Sequence, residues 1–359
     1  GVLVAHGVTS VRDMGGDVVR LRDWRAAIAT GQLVGPRIRF CGPMLEGNRD
    51  ALVPGRADHW VVADPAAADA TVDRLAGLGV DCIKIRSIAD APTYRALAAA
   101  ARRHHLPLVG HSPAGVDPLA ASAAGQASFE HGFYPWPWTT LSTVAQHRIA
   151  DAFRRSGSLV TPTLVAWQPF LAPYPTIQAV LDDTRGTTDP RERTVSAALR
   201  RNWISGFADR KKWRGSGPAS HAAWVKALDD DYRELRDLHD RGVGLLVGTD
   251  TGTTMVYPGA AVHQEMKLFV TRLGLRPIDA IIGATILPAK HFGLEADLGT
   301  IEAGKLADLV VLSADPLADI KNIEAIDSVI LDGRLFDHAA LQRLVGDAER
   351  RIARGDPRR

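Results

Sequence analysis

Short runs of apolar and β-branched residues recur along the chain, separated by segments whose apolar positions return with helical spacing. The run Val243–Val247 (Val-Gly-Leu-Leu-Val) lacks polar alternation, which predicts a strand buried on both faces, as in a parallel sheet. Runs at Val8–Asp13, Pro36–Cys41, Val80–Arg86, Leu106–Gly110, Ala127–Glu130 and Leu159–Leu164 predict further strands. Between them, Asp69–Leu78 places Val72, Leu75 and Ala76 on one helical face. Met266, Phe269, Val270 and Leu273 repeat that spacing, and Gly274 supplies a C-terminal stop. Pro277 then opens a helix where a missing N–H costs nothing, with Ile278, Ile281 and Ile282 on one face. Strands alternating with helices imply βαβ units. The fold class expected is α/β, a (β/α)8 TIM-type barrel with its first strand missing; a doubly wound open sheet is the alternative.

Two stretches depart from that rhythm. Residues 167–241 contain Pro169, Pro173 and Pro175, then a polar helical tract rich in Arg, Lys and Asp. An excursion of this length reads as a lid, an oligomer contact or a solvated helical hairpin. After Phe292-Gly293, the aliphatic run Leu306–Leu312 and the segments Ser328–Leu331 and Leu335-Phe336 predict strands, with Asp332-Gly333 suited to a tight hairpin. So few strands need partners to bury a face. The expected organisation is a barrel over 1–293 with a helical insertion at about 167–241, accessory β-sandwich strands over 294–340, and a C-terminal basic helix or tail over 341–359. There are no internal repeats.

Composition narrows the function classes. Over 359 residues, apolar types make up 46% and charged types 23%, and the formal net charge is +2. That balance gives no reason to expect nucleic acid or an anionic membrane surface as a partner. No apolar run reaches membrane-spanning length. Cys41 and Cys82 each sit in an apolar run, which predicts buried free thiols rather than a disulfide. The chain starts Gly1-Val-Leu-Val-Ala without Met, as though upstream residues preceded it. A cytoplasmic location is slightly favoured, although that start removes evidence about a signal peptide.

Four predicted strand ends carry chemistry. Asp250 follows Val243–Val247, Lys84 lies within Asp81-Cys-Ile-Lys-Ile, His111 ends Leu108-Val-Gly, and His131 ends Ser128-Phe-Glu. In a parallel sheet these termini share one mouth, where catalytic groups gather on barrel folds. A carboxylate there is costly without a compensating cation or hydrogen bonds. Imidazole nitrogen and carboxylate oxygen suit zinc and similar divalent ions. Lys84 fits such a site only as a neutral amine, which can take up CO2 to form a carbamate.

In this order the residues resemble the metal signature of the amidohydrolase superfamily, in its imidazolonepropionase and Xaa-Pro dipeptidase (prolidase-like) branch. Gly7-Val-Thr-Ser-Val-Arg-Asp-Met-Gly-Gly16, His263-Gln-Glu265 and Gly304-Lys-Leu-Ala-Asp308-Leu match as well. The resemblance implies a carbamylated Lys84 bridging two divalent metals, zinc first among them. It further implies His111 and His131 as ligands of one metal, and Asp250 as ligand of the other and general base. One departure stands out: the family's first-strand His-x-His occurs nowhere in this sequence. Two ligands of the inner metal are therefore absent from the chain as given.

Softer expectations concern substrate binding. Tyr134, with Trp136 and Trp138, would form an apolar wall beyond His131. His263 would approach the mouth from its loop or face solvent, and Arg12 would pair with a substrate carboxylate or in a structural ion pair. His59, His147, His221, His239, His291 and His338 are expected to be solvated. The leading reading is a metal-dependent hydrolase cutting an amide, peptide or cyclic-amide C–N bond in a small molecule or short peptide, dipeptidase-like, with a homo-oligomer as one assembly. Competing readings are a catalytically silent relic without a complete metal site, and a lactone or phosphoester hydrolase using the same centre.

Overall fold

The computed structural model describes residues 1–47, 58–88, 90–132, 138–215 and 217–355. They form two compact units, one of 10–162 with 234–246 and one of 1–9, 163–233 and 247–359.

The first unit holds the parallel strands. β1 (Ser10–Asp13) pairs in parallel with β2 (Arg37–Phe40). A six-stranded sheet contains β3 (Met44–Glu46), β4 (His59–Val61), β5 (Ile83–Ser87), β6 (Leu108–Gly110), β7 (Gln126–Glu130) and β8 (Leu159–Thr161), in the order β4-β3-β5-β6-β7-β8. Every adjacent pair in it is parallel. Three intervening helices, Pro65–Gly77, Ala91–Arg103 and Pro118–Ala123, begin alike. Asp64, Asp90 and Asp117 each accept a backbone N–H of the first turn, and a proline occupies one of the first two helical positions, where its missing N–H is no loss. The helix Thr143–Ser156 ends on Gly157 at φ 76°, a left-handed stop that glycine adopts without penalty.

Predicted and observed strands differ in instructive ways. β8 stops at Thr161 because Pro162 has no N–H to donate, and Thr163 turns the chain at φ 52°. β3 and β4 were not predicted; each spans three residues, too short for a period-2 pattern to register. Val243–Val247 forms no strand of its own. Its contact with β8 is a single parallel bridge, Leu245 with Val160, flanked by Val160 N–H to Gly244 O (3.1 Å) and Leu246 N–H to Val160 O (2.8 Å). Val243 N–H is already committed to Leu238 O at 3.0 Å, so no longer ladder develops.

The expectation of free thiols is corrected, because Cys41 and Cys82 form a disulfide. The residues beside them explain the encounter. Asp81 N–H donates to Phe40 O (2.8 Å), while its carboxylate accepts from Phe40 N–H (2.9 Å), Arg39 (2.7 Å) and Arg25. This knot draws the end of β2 to the start of β5, and both sulfurs lie in the apolar interior.

The second unit contains most of the stretch 167–241. Phe170, Ile177, Leu181, Val195, Trp203, Phe207 and Tyr257 pack into one buried cluster, drawing on the helices Tyr174–Asp182 and Ala197–Arg214. A stretch with an apolar core of this size is not a solvated hairpin. On the helix Ala260–Thr271, buried Glu265 accepts the N–H groups of Leu164 (2.9 Å) and Val165 (2.7 Å), tying down the turn Leu164–Ala166. Near the C-terminus, β9 (Leu309–Leu312), β10 (Ile326–Leu331) and β11 (Arg334–Phe336) form an antiparallel sheet in the order β11-β10-β9. Asp332 (φ 52°) and Gly333 (φ 75°) make the predicted hairpin turn, whose two left-handed residues match the twist of the flanking strands. The basic C-terminal segment is a helix, His338–Ala353, capped by Asp337. Among the described residues, no helix is long and apolar enough to cross a membrane.

Candidate functional site

The C-terminal ends of the parallel strands in the first unit carry the polar groups. Alternation along β5 puts Lys84 and Arg86 on one face and Ile83 and Ile85 on the other. Lys84 stands opposite Val109 and Ile85 opposite Gly110, so Arg86 and His111 follow as neighbours. His111 N–H donates to Ile85 O at 3.1 Å. Only glycine permits that approach: at Gly110 (φ 137°) a Cβ would lie 2.0 Å from Ile85 O. His131, at φ 65°, donates its N–H to Thr161 O (3.0 Å) just past β7. The rings of His111 and His131 meet edge to face, with centroids 5.0 Å apart.

Beneath them lies Glu130, only 4% exposed. Its Oε1 accepts from Arg12 Nη2 (2.9 Å) and Ser128 Oγ (2.6 Å). Among the described residues its Oε2 has no hydrogen-bond partner, and it faces Lys84 Nζ at 3.8 Å. Burial by itself would raise this carboxyl's pKa. The charges of Lys84 and Arg12 and the Ser128 hydrogen bond outweigh burial and hold it below the usual carboxylate range. His111 is shifted well below the ordinary imidazole value, first by burial and then by the charges of Lys84, His131 and Arg86. Its ring is therefore neutral near pH 7.

The structure thus brings Lys84, His111 and His131 together and adds Arg12 through Glu130. Arg12 is 12% exposed, and it also donates to Ser128 Oγ (3.0 Å) and Thr161 Oγ1 (3.3 Å), so its guanidinium is engaged in a structural ion pair. Asp250 belongs to the second unit, exposed at φ 51°, with its carbonyl accepting Thr253 N–H at 3.1 Å. His263 does not face solvent: it is buried, its Nε2 lies 2.9 Å from His6 O, and burial lowers its pKa. Tyr134 and Trp136 lie outside the described residues. Trp138 is buried and donates Nε1–H to Asp237 at 3.1 Å. His59, expected in solvent, is 8% exposed, with Nδ1 2.9 Å from Glu46 Oε1.

Three polar residues escaped the sequence reading: Glu130, Glu46 and Arg86. The alternation of Ser128 with Glu130 in an otherwise buried strand was the available signal for the first. For Glu46, on a three-residue strand, there was none. Among the described residues, no three His, Cys, Asp or Glu side chains converge in a metal-ligand cluster.

Parallel strands, capped helices and a polar cluster at one end of the sheet define an α/β protein of the kind that carries its chemistry on strand termini. Residues 176–336 match the Amidohydrolase family. Imidazolonepropionase of Symbiobacterium thermophilum is 36% identical over 90 residues, covering 24% of this chain and 20% of that protein. Among solved structures, bottromycin amidohydrolase is similar with a TM-score of 0.73 and 27% identity, over 96% of this chain and 76% of that one. A Xaa-Pro dipeptidase with bound methionine in its active site shares the fold with a TM-score of 0.67 and 24% identity, over 94% and 77% of the two chains. The chain is thus similar to the amidohydrolase superfamily and shares the TIM-barrel-like α/β fold of these proteins. The segments aligned with imidazolonepropionases span 20–28% of those proteins' length.

Proposed function

We propose that the protein is a metal-dependent hydrolase of C–N bonds, acting on an amide in a small, dipeptide-like substrate. The observation that carries this reading is the adjacency of His111 and His131 at the end of the parallel sheet, with Lys84 on the neighbouring strand face. In the same reading, the sheet is part of a (β/α)8 barrel and the C-terminal strands are one layer of a small β-sandwich.

The histidine pair fits a divalent ion such as zinc. Two adjoining imidazoles, one of them held neutral by burial, present lone pairs without having to lose a proton. Lys84 fits less directly. It enters a ligand set only as a carbamate formed from the neutral amine, and its Nζ lies 3.8 Å from the Glu130 carboxylate. A bound divalent ion supplies Lewis acidity toward the amide carbonyl and activates water. The chain's own part is to hold the two imidazoles in place through Gly110 and the left-handed turn at His131. Asp250 is assigned by its position after Val243–Val247 as the carboxylate that accepts a proton and returns it to the leaving nitrogen.

The test is hydrolysis of N-acyl amino acids and blocked dipeptides by the zinc-loaded chain, with Asp250→Asn beside it. A loss of about 10²-fold or more in kcat is expected for the variant, the usual contribution of a general base. Equal rates would remove Asp250 from the role.

A further inference from the structure

Within the reading of the protein as an amide hydrolase, on which this inference rests, we propose that Arg86 is the specificity-determining residue and selects substrates carrying a free carboxylate beside the amide. Such a substrate is an N-acylated amino acid or the C-terminal residue of a short peptide.

Two arginines compete for that role. Arg12 is enclosed and shared among Glu130, Ser128 and Thr161. Arg86 has a side chain 42% exposed and a single protein acceptor, Glu46 Oε1, at 2.7 Å from its Nη1. Among the described residues nothing else accepts from it, so the rest of the guanidinium fork remains open to a ligand. A guanidinium presents parallel donors that match a carboxylate in two-point geometry. Its place is equally specific. It lies two residues beyond Lys84 on the same face of β5, at the outer end of the strand, beside His111.

What separates Arg86 from an ordinary surface arginine is the group that holds it. Glu46, the last residue of β3, is fully buried. Its Oε1 receives Arg86 and His59, and its Oε2 receives Ser87 Oγ. A carboxylate withdrawn from water and bonded on both oxygens restrains the arginine before any ligand arrives. That reduces the side-chain entropy lost on binding. His59 and Ser87 in turn hold Glu46, so they act as positioning residues.

Calorimetric titration of the full chain with N-acetyl-L-leucine and with N-acetyl-L-leucinamide tests the assignment without requiring turnover. The unmutated chain is expected to prefer the carboxylate by roughly 10-fold, the size of one charge-assisted hydrogen bond. Arg86→Gln should erase the preference while leaving affinity for the amide unchanged, and Arg86→Lys should retain part of it. Glu46 keeps His59 and Ser87 in the Gln variant, so the fold should persist; unchanged thermal unfolding checks this. Equal affinity for both ligands in the unmutated chain, or full selectivity in Arg86→Gln, overturns the proposal. Selective binding without hydrolysis would instead overturn the hydrolase reading and leave Arg86's role standing.

Discussion

Two buried glutamates, one in each unit, show how differently a protein can treat the same side chain. Glu130 lies at the end of a parallel strand with two cations and a hydroxyl around it, and its pKa is held low. Glu265 sits on a helix with the N–H groups of Leu164 and Val165 as its hydrogen-bond partners among the described residues, and burial pushes its pKa up to about 8. Both are withdrawn from water. The difference is that full opposite charges repay the cost of burying an anion, whereas two amide dipoles repay only part of it. Glu130 therefore serves as a fixed negative charge under the histidine pair, and Glu265 as a latch whose carboxyl burial pushes toward the neutral form.

The sharpest way to break this contrast is Glu130→Ala, which leaves Lys84 and Arg12 buried without their common anion. A loss of about 3–5 kcal/mol in unfolding free energy is expected by denaturant titration, as for other broken buried ion pairs. A loss below 1 kcal/mol would mean that water already solvates the cluster.

The next test is pH. Glu265 has a folded pKa above its ordinary value of 4.5, so its contribution to stability is complete below that value and is lost as pH rises through about 8. Gln cannot titrate. The stability of the unmutated chain relative to Glu265→Gln should therefore shrink between pH 4.5 and 8. Glu130 has the opposite sign: its contribution is present above the ordinary value of 4.5 and falls away as pH drops through its lowered folded value. A pH-independent difference between Glu265→Gln and the unmutated chain would show that Glu265 stays in one protonation state.

The smallest effect distinguishes hydrogen bond from charge. Ser128→Ala removes a 2.6 Å donor from Glu130 while keeping both cations, and should cost about 1.5–3 kcal/mol at most. A cost matching Glu130→Ala would mean that the hydroxyl, not the cations, carries the site.

Much of this molecule follows from local rules. The helical spacing of Val72, Leu75 and Ala76 announces the helix Pro65–Gly77, and Asp332-Gly333 announces the C-terminal hairpin. Lys84, His111 and His131 are legible because each ends or interrupts an apolar run. What is not legible is which polar groups meet. Arg12 and Glu130 are 118 residues apart, and Glu46 and Arg86 are 40 apart, on strands whose order no periodicity encodes.

The sequence by itself determined the alternation of strand and helix, the resemblance to amidohydrolases, and the three residues at the sheet's end, because these depend on propensity, spacing and residue type. Tertiary structure alone decided that Cys41 meets Cys82, that Arg12 is enclosed while Arg86 stays open, and that Val243–Val247 makes one bridge instead of a ladder. Those outcomes turn on which backbone and charged groups find partners across strands, and a partner far along the chain leaves no trace in local pattern.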